Sequence, residues 1–364
     1  MGADCSNIGL ECGRFEGGAM RFAPIFELNE RGLYCAAGDF YIDPVRGVDR
    51  AVVTHAHSDH ARRGSGEYFC VLSGEGLLRV RLGKRIRVRT VAYGETFALG
   101  SARLSFHPAG HVLGSSQVRV EVNGKVWVVT GDYKRESDPS CEPFEVVPCD
   151  VLVTEATFGT PAFCWRRELS IGEEIHTWWR ENASRGVTSV VLGYSIGKSQ
   201  RILAELLPWM KAEPVWIHTT LHEATECYRR EGIALAETRV IDDAAIASGE
   251  LRGSLLLAPP SYAGSEELAR QVGPLETAFA SGWMSGKGRW QGRAPQKGFV
   301  ISDHADWPAL LRTVEECGAK EVYVMQRGRG ALVRHLRASG LSADSIEALR
   351  SKSGADPQQL KLFS

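Results

Sequence analysis

The chain lacks any close pairing of its cysteines. Nine cysteines are scattered along 364 residues, and no two of them form a Cys-x-x-Cys pair. Small secreted domains that depend on disulfides place their cysteines densely and in regular patterns. We therefore expect free thiols and a reducing compartment, which places the chain in the cytoplasm.

Long hydrophobic runs are also absent from the sequence. No charged segment followed by an apolar stretch opens the chain, and no apolar run reaches the ~20 residues that a membrane-spanning helix needs. The hydrophobic fraction of 43% and the charged fraction of 24% are typical of an ordinary globular protein. The sequence thus predicts no association with a membrane.

The chain has little net charge. Lysine and arginine total 43 residues against 44 aspartates and glutamates, so the formal net charge is −1. Any attraction for nucleic acid must then be local. Two basic stretches could provide it: residues 79–89, whose alternating basic residues predict a hairpin, and residues 287–297. A solvated surface explains either stretch equally well.

Histidine, by contrast, is concentrated in one short segment, His55-Ala-His57-Ser-Asp59-His60, which follows an apolar run. Alternate residues of an extended segment point the same way, so His55 and His57 can meet one metal ion. Asp59 and His60, further along, can meet a second. Imidazole nitrogen and carboxylate oxygen are ligands that zinc, manganese and iron prefer. The segment predicts a site for two divalent ions, zinc or manganese.

Further candidate ligands follow downstream. His111 lies between glycines, and Asp132 follows a predicted strand, where it can offer one carboxylate oxygen to each of two metal ions. Asp43 ends another strand and is expected to orient the histidine loop. A histidine held by a glutamate is a suitable general acid, which suggests His304 with Glu155. Because two metal ions roughly 3.5–4 Å apart can activate water and hold a phosphoryl oxygen, the pattern favours phosphodiester hydrolysis.

Hydrophobic periodicity divides the chain into two parts. Short β-rich runs separated by turns fill the first part, and they predict two facing sheets. Helix and strand patterns alternate from residue 170, as in βαβ units with a parallel sheet. The prediction is an α/β chain with a catalytic domain over residues 21–168 and 291–350 and an inserted α/β domain over 169–290. Residues 1–20 are predicted to be a flexible extension and residues 351–364 a flexible tail.

In combination, these motifs resemble those of metallo-β-lactamase-fold nucleases that carry a β-CASP insertion. The resemblance covers nearly all of the chain and implies an αββα sandwich interrupted by an α/β domain. It also implies a role for each motif residue. These are His55, His57 and His111 at the first metal ion, Asp59 and His60 at the second, Asp132 as the bridge, and Glu155 with His304 as the acid pair.

Within this family, the sequence is most similar to the Artemis-like nucleases, and among them to the bacterial DNA-ligase-associated exonucleases. The segment from Gly193 to Gln200 resembles one that lies near the substrate phosphates in Artemis-like enzymes, which implies phosphate binding by Ser195 and Lys198. A glycine-rich turn from strand to helix is also suited to binding an anion. An ordinary strand-to-helix turn would have the same sequence pattern.

The sequence departs from the RNA-cleaving relatives at residue 326. Those relatives have a histidine after the last core strand, as a ligand of the second metal ion, whereas this chain has Gln326. An amide oxygen is a poorer ligand for zinc than imidazole. We therefore expect a weaker second site, or a harder ion such as manganese. DNA-acting relatives also lack this histidine, which favours DNA.

These features predict a metal-dependent DNA nuclease in repair that acts on single-stranded or 5′-phosphate ends. An ATP-dependent DNA ligase and a helicase are the expected pathway partners. An RNA-processing nuclease of the same fold is the alternative. Hydrolysis of a small molecule disagrees with the insertion and the acid pair. A scaffold with a decayed site disagrees with the complete histidine cluster.

The chain ends in three large apolar side chains after a polar stretch. Residues 359–363, Gln-Leu-Lys-Leu-Phe, are similar to the pentapeptide by which bacterial repair and replication proteins bind the sliding clamp. Lys361 replaces the usual serine or aspartate. The resemblance implies clamp contacts from Gln359, Leu360, Leu362 and Phe363. Packing of these side chains onto the catalytic domain is the alternative.

Overall fold

A sandwich of two sheets, with a third sheet inserted, makes up the described part of the chain. The computed structural model describes residues 24–165, 170–210, 213–262, 270, 272–285, 297–325 and 330–350. The predicted extension over residues 1–20 and the tail over residues 351–364 lie outside these ranges.

The first sheet of the sandwich contains six strands in chain order. Pairing is antiparallel up to the third strand and parallel from there on. One helix lies in the chain between the last two strands. The elements are β1 (Phe26–Asn29), β2 (Gly32–Cys35), β3 (Phe40–Ile42), β4 (Arg50–Val52), β5 (Glu67–Val71), α1 (Glu75–Leu82) and β6 (Val88–Val91).

The second sheet contains seven strands, and its order shows that the chain leaves and returns. Five consecutive strands, β7 (Thr96–Leu99), β8 (Ala102–Pro108), β9 (Ser116–Val122), β10 (Lys125–Val129) and β11 (Val151–Thr154), are followed in space by β18 (Glu321–Val324) and β19 (Ser342–Ser345). Strand β18 pairs with β11 in parallel, although more than 160 residues separate them in sequence. The intervening chain is therefore an insertion into this sheet.

Alternating apolar residues join the two sheets in one core. Phe40, Phe106 and Trp127 are buried there, and Trp127 stacks on Tyr323 with ring centroids 5.7 Å apart. The outer face of the second sheet packs on the helices Trp307–Glu316 and Ala331–Ala338, called α6 and α7 below. Helix α1 covers the outer face of the first sheet. The layers are helix, sheet, sheet, helix, which confirms the predicted αββα sandwich.

The insertion is built on a parallel sheet of six strands in the order β14-β13-β15-β12-β16-β17. Apolar clusters cover both of its faces, as parallel sheets require. Its strands are β12 (Thr188–Leu192), β13 (Val215–Ile217), β14 (Thr238–Val240), β15 (Leu255–Ala258), β16 (Leu275–Ala280) and β17 (Lys297–Phe299). Its helices are α2 (Ile171–Ser184), α3 (Lys198–Leu206), α4 (Thr219–Arg230) and α5 (Asp243–Ser248).

Two expectations about the boundaries of elements were wrong. The basic stretch over residues 79–89 is not a hairpin: it contains the end of α1 and the start of β6. Arg79 forms a helical ion pair with Glu75 and also donates to the carbonyls of Lys84 and Ile86, which folds the basic side chain onto the turn. The insertion also extends past residue 290, because β17 pairs with β16.

In the described ranges, none of the helices has both the length and the apolar character to span a bilayer.

Candidate metal centre and active site

The histidine loop follows β4 at the rim of the sandwich, where Asp43 and Thr54 hold it in place. Asp43 accepts hydrogen bonds from the backbone N–H of Thr54 (2.8 Å), from the Thr54 hydroxyl (2.6 Å) and from Nδ1 of His60 (2.7 Å). The Thr54 hydroxyl in turn lies 3.1 Å from Nδ1 of His55. One carboxylate and one hydroxyl therefore orient two of the candidate ligands, as partners of metal-binding imidazoles commonly do.

Four side chains bring their ligand atoms together beside this loop. The nitrogens of His55, His57 and His111 and a carboxylate oxygen of Asp132 all lie within 4.8 Å of one another. Nδ1 of His57 is 3.1 Å from both His55 Nε2 and His111 Nε2. This is the group that the sequence assigns to the first metal ion, and the structure places its members together.

The outward-facing nitrogens of these imidazoles are held by backbone carbonyls. Nε2 of His57 donates to the carbonyl of Ile196 (3.0 Å), and Nδ1 of His111 donates to the carbonyl of Asp303 (2.6 Å). Each contact fixes the tautomer, so the other ring nitrogen keeps its lone pair towards Asp132. Both carbonyls come from distant parts of the chain.

Burial keeps these rings in the neutral form that binds metal. It lowers the pKa of His55 and His111 well below the usual value, and neighbouring imidazoles add to the effect. Burial also favours the neutral ring of His60, but Asp132 and Asp43 raise the pKa of that residue well above its usual value. A metal ion at His60 would thus have to displace a proton.

The second predicted group is more open. His60 Nε2 lies 3.4 Å from Asp132 Oδ2 and 3.8 Å from Asp59 Oδ2, and the Asp59 side chain is 43% exposed. The position that would complete this group in RNA-cleaving relatives, Gln326, lies outside the described residues. Among the described residues, the second group therefore has fewer imidazoles than the first and is more exposed to solvent.

His304 and Glu155 form an ion pair on the other side of Asp132. His304 Nδ1 lies 3.1 Å from both oxygens of Glu155 and 3.9 Å from Asp132 Oδ2. Glu155 is buried and also accepts from the backbone N–H of Tyr133 at 2.7 Å. Burial favours the neutral imidazole, but Glu155 and Asp132 raise the pKa of His304 to about 9. The three side chains are also close enough to hold a metal ion.

The turn from Gly193 to Gln200 lies against the metal centre, but Lys198 does not face solvent. Its Nζ is buried and binds Asp303 Oδ2 (2.7 Å) and the carbonyl of Ile301 (2.9 Å). Lys198 is thus paired with the buried carboxylate of Asp303. The phosphate-binding role that the sequence suggested is corrected, because the ammonium group does not face solvent. Ser195 is half-buried in the same turn.

Comparisons with known proteins identify the family. No protein-family model matches the chain. A protein of Opitutus terrae named "Probable DNA ligase" is 30% identical over 318 residues, which are 86% of this chain and 30% of that protein. Proteins named "Endoribonuclease YSH1" are 31% identical over 180 residues in Yarrowia lipolytica (48% of this chain, 20% of the relative) and 33% identical over 121 residues in Eremothecium gossypii (32% and 15%). The chain thus spans at most 30% of the length of these relatives.

The chain belongs to the β-CASP family of the metallo-β-lactamase fold. A crystal structure of a protein of unknown function from Enterococcus faecalis V583 matches with a TM-score of 0.50 and 11% identity, over 76% of this chain and 74% of that one. This last likeness shows a shared fold alone.

In this β-CASP protein, five charged side chains, four of them buried, join the insertion to the catalytic domain beside the metal centre. Arg201 lies 3.3 Å from both Asp138 and Asp303, and it donates to the carbonyl of Ser302. Lys134 pairs with Asp138, and Lys198 pairs with Asp303. Since the backbone of Asp303 holds His111, this network supports a candidate metal ligand.

Several of these supporting groups could not be recognised in the sequence. The carbonyl of Ile196 acts through the backbone, which carries no residue signature. In the sequence, nothing distinguishes Arg201 and Asp138 from charged residues on an ordinary protein surface. Of these groups, Thr54 alone could have been predicted from the sequence, because a hydroxyl directly before a metal-binding histidine is placed to orient it.

Proposed function

We propose that this protein is a metal-dependent nuclease that hydrolyses phosphodiester bonds in DNA. The position of Asp132 carries the proposal. Its Oδ2 lies 3.7 Å from His55 Nε2, 3.4 Å from His60 Nε2, and 3.9 Å from both His111 Nε2 and His304 Nδ1. A single carboxylate oxygen therefore adjoins both predicted metal sites and the acid pair.

The donor set fits divalent metal ions such as zinc or manganese. Neutral imidazoles with one carboxylate are a common ligand set for zinc, and carboxylate-rich sites suit harder ions. The first ion would be held by the His55, His57, His111 and Asp132 group, and the second by Asp59, His60 and Asp132. Bound ions would supply a lowered pKa for water and charge stabilisation of the phosphoryl group.

The chain's own acid pair would assist departure of the leaving group. Glu155 occupies Nδ1 of His304 and favours the protonated ring, so Nε2 is the nitrogen left to donate a proton. Protonation of the leaving oxygen avoids release of an alkoxide. The buried carboxylate of Glu155 also fixes the ring orientation in advance of substrate binding.

Two observations support DNA as the substrate. The relative aligned over 86% of the chain is named for DNA ligation, whereas the relatives named endoribonucleases align over 48% and 32%. Gln326 also replaces the histidine that the resemblance assigns to RNA-cleaving enzymes. RNA remains the second candidate because of those endoribonucleases. Action on single strands or 5′-phosphate ends is part of the proposal, with Ser195 as the remaining phosphate contact of its turn.

The test uses end-labelled single- and double-stranded DNA and RNA, with and without a 5′-phosphate, under Zn²⁺, Mn²⁺ and Mg²⁺. We expect metal-dependent cleavage of DNA that falls to background in Asp59→Ala and Asp132→Ala, since each removes an anionic ligand. Asp49→Ala is the matched control, because Asp49 is exposed and precedes β4, away from the histidine loop. Cleavage of RNA in preference to DNA would overturn the substrate, and activity retained by Asp132→Ala would overturn the site.

The partners of the nuclease are also proposals. The Opitutus relative supports cooperation with a DNA ligase, and we extend this to an ATP-dependent ligase and a helicase in one repair pathway.

The clamp contacts of Gln359, Leu360, Leu362 and Phe363 lie outside the described residues and rest on sequence. A peptide spanning residues 356–364 should bind the cognate clamp, and a Leu362→Ala, Phe363→Ala peptide should not. Equal binding of both would leave no clamp-binding role.

A further inference from the structure

Most of the exposed large apolar side chains lie just beyond the ends of parallel strands. Among the described residues, the exposed large apolar side chains are Leu72, Tyr194, Leu207, Trp283 and Val300. All except Leu207 lie within three residues of the carboxyl ends of parallel strands, namely β5, β12, β16 and β17. Strand β5 pairs with β4, which leads into the histidine loop, and the turn after β12 reaches His57. Apolar side chains exposed after such strand ends are candidates for a binding surface.

Trp283 is the best supported of these side chains. The residue is 46% exposed, and its ring packs on Phe158 and Phe163 with centroid distances of 4.7 and 5.3 Å. Close packing at the preceding residue holds it there, because a Cβ at Gly282 would lie 2.7 Å from the Phe158 ring. The indole is thus held against fixed aromatic neighbours, and almost half of its surface is open to a ligand.

The same aromatic cluster reaches the acid pair. The Phe158 ring lies 6.0 Å from the His304 ring, and Trp165 donates from Nε1 to the carbonyl of His304 at 2.9 Å. Trp165 also packs on Phe158 at 4.8 Å. A group bound on Trp283 would therefore lie next to the side of the site from which His304 acts.

We propose that the indole of Trp283 stacks on an unpaired nucleobase on the leaving-group side of the scissile phosphodiester. The inference rests on the proposed nuclease function and specifies its substrate as single-stranded. Base stacking on an aromatic ring tolerates any sequence, but it requires a base whose face is not covered by its neighbours in a duplex. Since His304 serves the leaving oxygen, the nucleotide attached to that oxygen lies nearest the cluster.

The first experiment measures kcat and KM of the metal-loaded protein on single-stranded DNA. Trp283→Leu keeps apolar volume but loses the aromatic face, so kcat/KM should fall by roughly 5- to 150-fold, as for loss of one stacked base. Trp283→Phe should recover most of the loss. Trp209→Leu is the control, because Trp209 is a partly exposed tryptophan just beyond the end of α3. Thermal unfolding of each variant checks that it is folded.

The second experiment removes the base instead of the tryptophan. A substrate with an abasic site at the leaving-group nucleotide should be cut poorly by the wild type, and Trp283→Leu should not lose further activity on it. Equal abasic effects in both proteins, or equal kinetics for Trp283→Leu and Trp209→Leu, would overturn the stacking site while leaving the nuclease function intact. A wild type that cuts no nucleic acid with any metal would overturn both. Unchanged cleavage with loss of a protein partner in Trp283→Leu would assign the surface to that partner.

Discussion

At the scale of single residues, His304 is the group whose role most needs separation from metal binding. It lies close to Asp132 and Glu155, so its position alone fits an acid or a ligand. Its Nδ1 is hydrogen-bonded to Glu155, which favours the role of a general acid for His304. We expect His304→Ala to keep near-normal metal content and to slow cleavage by roughly 10²–10⁴, the usual contribution of a general acid.

The measurements for this variant are metal content by elemental analysis and cleavage of substrates with different leaving groups. A leaving group that needs no proton should restore part of the lost rate. His111→Ala is the comparison, because its ring faces the first metal group and it should lose metal. If His304→Ala loses as much metal as His111→Ala, then His304 is a ligand.

Gln326 should limit the second metal site. The described members of that site are His60, Asp132 and a partly exposed Asp59, so an added imidazole would supply a stronger ligand. We expect Gln326→His to tighten binding of the second ion in a calorimetric titration. Binding that keeps its stoichiometry and affinity would show that residue 326 does not face the metal centre.

At the scale of elements, the turn between β12 and α3 depends on one glycine. Gly197 has φ +88°, and a Cβ there would lie 2.3 Å from Val112 Cγ1. The carbonyl before it holds His57. We expect Gly197→Ala to lower the free energy of unfolding by more than the ~1–2 kcal/mol that a left-handed backbone costs an L-residue. Metal affinity should also fall, by about 10- to 100-fold, the usual effect of losing a partner of a metal ligand.

Gly186→Ala separates these two effects. Gly186 also has positive φ, +69°, but a Cβ there would meet no atom within 4 Å. This control should show the backbone cost with unchanged metal affinity. Chemical denaturation and metal titration of both variants provide the comparison. Equal metal affinity in the two variants would mean that the turn does not position His57.

Elements with strong periodicity were predictable from sequence, and polar or very short ones were not. The apolar periodicity of residues 171–184 and 331–338 predicts two helices, and these bounds match α2 and α7. Strand β19 was missed because Ser-Ala-Asp-Ser has no apolar alternation, and its place is set by pairing with β18. Helix α1 was missed because its alternating arginines resemble a strand, while Leu77, Leu78 and Leu82 supply its buried face.

The candidate site was likewise only partly predictable from the sequence. The side chains that face Asp132 could be chosen from the sequence because imidazole and carboxylate chemistry is visible in residue types. The direction of Lys198 could not, since a lysine after a glycine-rich turn can face either a phosphate or a buried carboxylate. Burial of Asp303 nearby decides it, and that burial arises only when the insertion packs on the catalytic domain.

At the scale of the whole molecule, two buried carboxylates bind three cations in the network between the two domains. Lys134, Lys198 and Arg201 face the buried carboxylates of Asp138 and Asp303. A third carboxylate, Glu205, lies 3.7 Å from Arg201 and is partly exposed. Lys198 and Arg201 come from the insertion's helix α3, whereas Lys134 and Asp138 belong to the catalytic domain. Each of the two buried carboxylates keeps a lysine partner when Arg201 is removed, whereas removal of the Asp303 carboxylate leaves Lys198 without one. The two changes should therefore have unequal costs.

We expect Asp303→Asn to destabilise the protein more than Arg201→Met. The first change leaves Lys198 buried without its carboxylate, and breaking a buried pair in this way typically costs about 3–5 kcal/mol. The second change leaves two complete pairs, Lys134 with Asp138 and Lys198 with Asp303, and loses mainly a donor to the carbonyl of Ser302. Loss of that donor should cost about 1–3 kcal/mol.

Denaturant unfolding of metal-free protein measures both changes without a contribution from metal binding. An equal or larger loss in Arg201→Met would show that the arginine, and not the pairing of Asp303, holds the insertion against the catalytic domain.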